Sequence, residues 1–231
     1  MMCGRFAQVI VHTELKKLQD ELKLISQSEQ IVLSFNVAPT HTVSAIVAKE
    51  SIRYLGFFRW GLVPSWMKEF PHHALINIRS ESITVKPSFK VSLMRRRCIV
   101  PANGFYEWRK SDKQPFFIHA DDGGLLYMAG IYDTWESPDG SYIPSLGIIT
   151  TPANSTVGEI HDRMPLLLSS NTRNTWLNPS IQDIFALSPL LSPDPEVQLR
   201  MYPVSKKVNS IHNNDAECMQ ELPAQQADIF R

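Results

Sequence analysis

Residues 97–132 read RCIVPANGFYEWRKSDKQPFFIHADDGGLLYMAGIY. The apolar runs at 97–101, 104–109, 115–119 and 125–132 are short and rich in Ile, Val, Phe, Tyr and Trp, the pattern of successive strands. Asp121-Asp122-Gly123-Gly124 lies between two of these runs and predicts a hairpin turn. Upstream, 43–48 and 52–60 carry the same signature; downstream 143–150 repeats it behind a second turn at Pro138-Asp139-Gly140. Helices are expected at the periphery. Leu15, Leu18, Leu22 and Ile25 recur at helical spacing behind Thr13, which predicts a capped amphipathic helix over 14–25. Thr151-Pro152 reads as the cap and first position of a short helix ending near His161. Ser170 or Asn171 would cap another through Trp176-Leu177, a third falls near 180–187, and Pro189, Pro193 and Pro195 then break the chain. Residues from about 216 to 231 read as a loose tail. No internal repeat or long linker divides the chain. The expectation is a single α+β domain over 1–231, with a curved, mostly antiparallel, barrel-like sheet flanked by short helices.

Composition narrows the function. Of 231 residues, 23 are Lys or Arg and 23 are Asp or Glu, so the formal net charge is zero and the whole molecule does not attract polyanions. A nucleic-acid partner would need a local basic patch. Residues 77–110 contain one: Arg79, Lys86, Lys90, Arg95, Arg96, Arg97, Arg109 and Lys110 stand against Glu81 and Glu107 alone. The same run is also compatible with an ordinary solvated stretch. Cys3, Cys98 and Cys218 are odd in number, far apart and without a CxxC pair, which argues against a disulfide framework and a thiolate zinc site. No signal-peptide pattern follows Arg5 and no apolar stretch reaches the length of a membrane span, so a cytoplasmic setting without a membrane partner is expected.

The chain opens Met1-Met2-Cys3-Gly4-Arg5-Phe6. With both methionines removed, Cys3 would carry a free α-amine (pKa about 7.7–8.0) and a thiol (pKa about 8.5) on neighbouring carbons. Such a pair condenses with an aldehyde: the amine forms an imine, and the thiol then closes a five-membered ring intramolecularly. Read alone, an early cysteine is equally a small apolar residue. Gly4 permits close backbone approach to a ligand, and Arg5 supplies a cation suited to phosphate.

Other motifs also carry two readings. Phe35-Asn36-Val37-Ala38-Pro39-Thr40 is a strand end and turn, or a ligand loop. Trp60 and Trp66 bracket a Gly/Pro loop, either as core residues or as exposed platforms for base stacking. Strand alternation would put Asn77, Arg79 and Glu81 on one face, solvated or functional. Glu107 lies in an aromatic strand, where burial would make it a general acid/base, and His161 sits beside Asp162 and Arg163.

Together the motifs CGRF (3–6), FNVAPT (35–40), WGLVPSW (60–66), NIRSE (77–81), CIVPANGFYEW (98–108), QPFFI (114–118) and IHDRMP (160–165) resemble the SRAP (SOS response-associated peptidase) family, in the family's order and from Met2 to about Glu221. The resemblance implies a cytoplasmic, monomeric sensor of abasic sites in single-stranded DNA, nucleoid-associated when bound, that bonds covalently to the lesion without metal or organic cofactor. It implies catalytic roles for Cys3, Asn77, Glu107 and His161. It also implies DNA contacts from Gly4, Arg5, Asn36, Pro39, Trp66, Met67, Arg79, Lys86 and Arg163, with Arg5, Arg79 and Arg163 clamping phosphates and Trp66 wedging beside the lesion. Two other activities are compatible with the same residues: a cysteine-type autopeptidase cleaving before Cys3, and non-covalent single-strand binding. The family's cysteine normally follows one methionine. Here two precede it, so Cys3 is expected to act only once Met1 and Met2 are gone.

Overall fold

The structure, a computed structural model, describes residues 4–25, 31–73 and 75–223. The short N-terminal strand β1 (Arg5–Gln8) leads into helix α1 (His12–Leu22) and strands β2 (Ser34–Val37), β3 (Thr42–Lys49), β4 (Ile52–Trp60) and β5 (Asn77–Arg79). Helices α2 (Ser80–Ile83) and α3 (Pro87–Arg95) precede a run of strands: β6 (Arg97–Ala102), β7 (Gly104–Trp108), β8 (Pro115–Ala120), β9 (Leu126–Glu136) and β10 (Tyr142–Pro152). The chain finishes with α4 (Ser155–Gly158), β11 (Arg163–Pro165), α5 (Ser170–Leu177), α6 (Ile184–Leu187) and β12 (Leu199–Pro203), followed by 3₁₀ turns at Lys206–Asn209 and Ala216–Met219.

The strands make two sheets. β10, β4, β3, β6 and β9 form a ring, closed because β9 pairs with both β6 and β10, and β5 and β11 attach to β10. The second sheet has the order β12-β8-β7-β1-β2. Pairing is antiparallel except where β10 runs parallel to β4 and β5. The expected α+β, barrel-like architecture is therefore the observed one.

Strand burial explains why the runs were legible. Val43, Ala45 and Val47 face the core between the two sheets, with Phe6, Phe105 and Ile118, whereas Ile46 faces a second core under the helices. That second core takes Leu15, Leu18 and Leu22 from α1, Leu93 from α3 and Trp176 from α5. Covered on both faces, such strands read as apolar runs instead of alternating. Gln8 ties the layers together: its Nε2 donates to the carbonyls of Ser44 (2.9 Å) and Pro101 (2.8 Å), and its Oε1 accepts from the Ser44 amide (2.8 Å).

Several local expectations shift. Asp121–Gly124 is a tight turn, with Gly123 at φ 73° and the Gly124 amide donating to Asp122 at 2.9 Å, but it is no hairpin. β8 pairs with β7 and β12 while β9 pairs with β6 and β10, so the turn carries the chain between sheets. Turn chemistry specifies the bend, not the partner. Pro138–Gly140 does connect a hairpin, β9 to β10. α1 begins before Thr13, where the Val11 amide donates to Glu14 at 3.0 Å, and ends at Lys23 in the left-handed region (φ 54°), leaving Ile25 exposed. Pro152 stays in β10 because it pairs with Arg163; the cap of α4 is Asn154, which accepts from the Val157 amide at 3.0 Å. Ser169 precedes α5 as its cap, and Pro189 sits inside the 3₁₀ turn Ser188–Leu191 that continues α6. Residues 216–223 are not the loose tail expected of them: Cys218 is buried with Tyr106 and Val208, and Glu221 bridges to Val204. Residues 224–231 lie outside the described residues.

Candidate active site

Glu107 is the fourth residue of β7 and shares the inner-facing parity of Phe105, so the sheet buries it to 1% exposure. Antiparallel register sets Arg5 opposite Tyr106 and Phe6 opposite Phe105, which brings the chain before Arg5, at Gly4, to the Glu107 end of β7. Cys3 itself lies outside the described residues.

His161 reaches the same place from the other sheet. The amide of His161 donates to the Val157 carbonyl at the end of α4 (2.9 Å), and β11 then pairs with β10. The largely buried His161 ring puts Nδ1 3.9 Å from Glu107 Oε1. The same nitrogen lies 3.2 Å from the Arg163 amide and 3.1 Å from the Arg163 carbonyl. Neutral imidazole with its proton on Nε2 accepts from that amide, and imidazolium donates to that carbonyl. The ring therefore keeps a hydrogen bond in either protonation state, which suits proton transfer.

Asn77 opens β5 and pairs in register with Ile148 of β10, an inner-core residue, so it lies on the side of its sheet that faces the core between the sheets, as Glu107 does on the other sheet. Arg79 is exposed one step along. Glu81 does not continue this face, because β5 pairing ends at Arg79 and α2 begins at Ser80. Instead Glu81 grips Arg163 as a fork, at 2.5 Å to Nη1 and 2.9 Å to Nη2, and Nη2 also donates to the Thr150 carbonyl at 2.6 Å. Those hydrogen bonds hold the Glu81 carboxyl down at about 2. Arg163 is thus bonded within the protein in this state, where the sequence reading had it clamping phosphate. Lys110 pairs with Asp162 on the other side of His161. Thr150 was missed as a site neighbour, and Lys110, read only as part of the basic run, was not expected beside Asp162.

The two tryptophans divide. Trp60 is fully buried, packs edge-on to Phe6 at 5.0 Å and donates Nε1 to the Ile76 carbonyl. Trp66 is 65% exposed, on the loop reached through Gly61, whose φ of 135° favours glycine. Pro39 and Met67 are half-buried, and Lys86 is exposed at the start of α3. Within the basic run, Arg97 is buried, Arg96 pairs with Asp133 and Arg109 with Asp112, while Lys90 and Arg95 stay exposed with Arg79 and Lys86.

Asn36 departs most from the sequence reading. It is 1% exposed, with Oδ1 accepting from Arg5 and Nδ2 directed at the carbonyls of Val208, Ser210 and Asn213. Its visible role is to join β2 to the C-terminal segment. Among the described residues no group of three or more His, Cys, Asp or Glu could hold a metal ion, and no helix is long and apolar enough to cross a membrane.

A curved two-sheet α+β domain with a buried carboxylate and histidine facing the approach of the N-terminus defines the class. The profile of the family SOS response associated peptidase (SRAP) matches residues 2–211. The chain is 37% identical over 223 residues to the abasic site processing protein YoqW of Bacillus subtilis, covering 95% of this chain and 99% of that one. It is 36% identical to the abasic site processing protein HMCES of Xenopus tropicalis, over 94% and 78% of the respective chains. A crystal structure of a protein from Bacteroides thetaiotaomicron superposes with a TM-score of 0.81 at 28% identity, covering 96% of this chain and all of that one. The chain belongs to the SRAP family.

Proposed function

We propose that this protein, acting as a cytoplasmic monomer, recognises abasic sites in single-stranded DNA and bonds to them covalently through Cys3. The observation that carries this reading is the buried Glu107, 3.9 Å from His161, at the end of β7 that the β1 backbone approaches at Gly4, the residue after Cys3. In the ring-opened abasic sugar, C1′ is an aldehyde carbon. The Cys3 amine attacks it, water leaves, and an imine forms; the thiol then adds across the C=N bond to close a thiazolidine. Glu107 moves the protons of ring opening and dehydration, and His161 serves the sugar hydroxyl. Asn77 orients the sugar. Arg79 and Lys86, both exposed, meet flanking phosphates, and Trp66 stacks beside the lesion. An imine alone withdraws electrons and promotes strand scission by β-elimination. Ring closure removes that sink, so the product shields the site, with lyase activity weak at most.

The test is incubation of protein beginning at Cys3 with an abasic single-stranded oligonucleotide, followed by a denaturing gel. A heat-stable shifted band that is absent from Cys3→Ser is expected. A band of equal yield from Cys3→Ser without reduction would sink the thiazolidine, and retention of intact and abasic strands alike only in native gels would leave non-covalent binding. The family's description as a peptidase supports a companion reading, in which the same residues release Met2 from Cys3. Mass spectrometry of Glu107→Ala decides it: retained Met2 in that variant alone supports self-processing, and its removal in both refutes it.

A further inference from the structure

Side-chain parity along β1 separates Arg5 from the reactive face. Phe6 joins the core between the sheets, whereas Ala7 packs on the outer face of the five-stranded sheet with Tyr106, Phe117, Val204, Val208 and Cys218. Arg5 shares the parity of Ala7 and meets the segment covering that outer face. Its Nη1 donates to Asn36 Oδ1 (2.7 Å) and to the Val208 carbonyl (2.6 Å), and its Nη2 to the Asn209 carbonyl (3.1 Å). No carboxylate pairs with Arg5 among the described residues, and burial lowers its pKa. Three of the five guanidinium N–H groups are thereby committed to acceptors inside the protein.

The acceptors are themselves fixed. Asn36 Nδ2 points to the carbonyls of Val208, Ser210 and Asn213, at 3.2, 3.0 and 2.8 Å. Trp108, next to Glu107 in β7, donates Nε1 to Asn209 Oδ1 at 2.8 Å. Asn214 Oδ1 accepts from the Phe35 amide at 2.7 Å, and Lys207 pairs with Asp215 and Glu217. The segment after β12 is therefore a bonded plate, tied to β2 and β7 and gripping β1 through one side chain.

We propose that Arg5 is a positioning residue: the C-terminal segment 204–219 holds its guanidinium and thereby fixes the backbone from which Cys3 approaches Glu107. The proposal rests on Cys3 being the nucleophile. Two residues reach at most about 7 Å, so an anchor at Arg5 limits where the cysteine can stand. Loss of such an anchor acts on the reaction step and leaves DNA capture intact, and misplacement of the order of 1 Å lowers a rate by about 100-fold.

Single-turnover crosslinking measured against DNA concentration separates the saturating rate from the half-saturating concentration. For Arg5→Met the saturating rate should fall by about 10- to 100-fold with half-saturation within about twofold of wild type. Arg5→Lys should recover part of the rate. Asn36→Ala, altered at a buried residue on the outer face, should reproduce the Arg5→Met defect. Trp108→Phe, which keeps an aromatic side chain at this half-buried position while deleting the Nε1 bond to Asn209, is the milder variant and should show a smaller loss. Hydrogen exchange supplies a readout independent of chemistry: amides of residues 5–8 and 208–213 should exchange faster in Asn36→Ala and Trp108→Phe. A raised half-saturation with unchanged saturating rate in Arg5→Met would make Arg5 a phosphate clamp and overturn the proposal. Unchanged exchange and rate in both Asn36→Ala and Trp108→Phe would overturn it too. Wild-type protein that forms no crosslink refutes the Cys3 chemistry, and the exchange result still decides whether the plate grips β1.

Discussion

Glu107→Gln offers the sharpest perturbation, because function and stability should move independently. The substitution keeps volume and one carbonyl oxygen while removing the carboxyl group that can take up and release a proton. A positioned general acid/base contributes about 10²- to 10⁴-fold, and at 1.36 kcal/mol per tenfold that is about 2.7–5.4 kcal/mol of barrier. Stability is governed by different terms. The carboxyl is 1% exposed and stands 3.9 Å from the His161 imidazole, outside hydrogen-bond distance of that ring. Burying a carboxylate costs several kcal/mol before compensation. Partners of the buried group offset part of that cost, and the amide keeps the volume and one acceptor oxygen, so the midpoint should stay within about 4 °C of wild type. The assay pairs thermal melting with single-turnover crosslinking to an abasic oligonucleotide. Protein must be shown by mass spectrometry to begin at Cys3, supplied by an external protease if self-processing fails. A variant that crosslinks within about threefold of wild type removes Glu107 from the chemistry. One that is slow but also melts about 10 °C lower makes it structural.

Three other outcomes follow from the same geometry. Arg97 is buried with its guanidinium donating to the carbonyls of Trp176, Leu93, Met94 and Asn178 at 2.6–2.8 Å; Arg97→Met strands those acceptors and should cost at least about 1–3 kcal/mol in urea denaturation. Glu81, held down at about 2, adds stability above its ordinary pKa near 4.5 that disappears as pH falls through 2. The difference between wild type and Glu81→Gln should therefore be largest above pH 5 and vanish near pH 2, amounting to less than about 1 kcal/mol because Glu81 is half-exposed; a difference independent of pH would contradict it. Trp66→Ala should leave the melting midpoint unchanged and weaken binding to abasic single strands by about 1–3 kcal/mol in a fluorescence titration.

Much of the fold was legible because its strands are covered on both faces. β3, β6, β9 and β10 appear in the sequence as apolar runs, and each formed within a few residues of its expected bounds. β1, β11 and β12 were not legible, and β2 and β5 only in part, as the strand end of FNVAPT and as a short strand in NIRSE that the structure stops at Arg79. They are three to five residues long, carry polar side chains such as Arg5, Asn36 and Asn77, and are strands only because a partner pairs with them. The C-terminal segment escaped for a related reason. Its few apolar residues, Val204, Val208 and Cys218, are too sparse for a periodic signal, yet they suffice to cover one patch of a sheet.

The site shows the same limit at the level of single side chains. Motif residues arrive in the sequence as a set, but a strand sends alternate members to opposite faces. In β7 this separates Glu107 from Tyr106, and in β1 it separates Phe6 from Arg5. Which partition is reactive depends on register, since Arg5 opposite Tyr106 aligns both outward residues, and a slip of one would exchange every assignment. Register is decided by Phe6, Val37, Phe105 and Ile118 filling the core between the sheets. The apolar residues of these motifs thus determine which polar ones face the core between the sheets. That places Arg5 and Asn36 of CGRF and FNVAPT behind the sheet, where they brace the reactive end against the C-terminal plate.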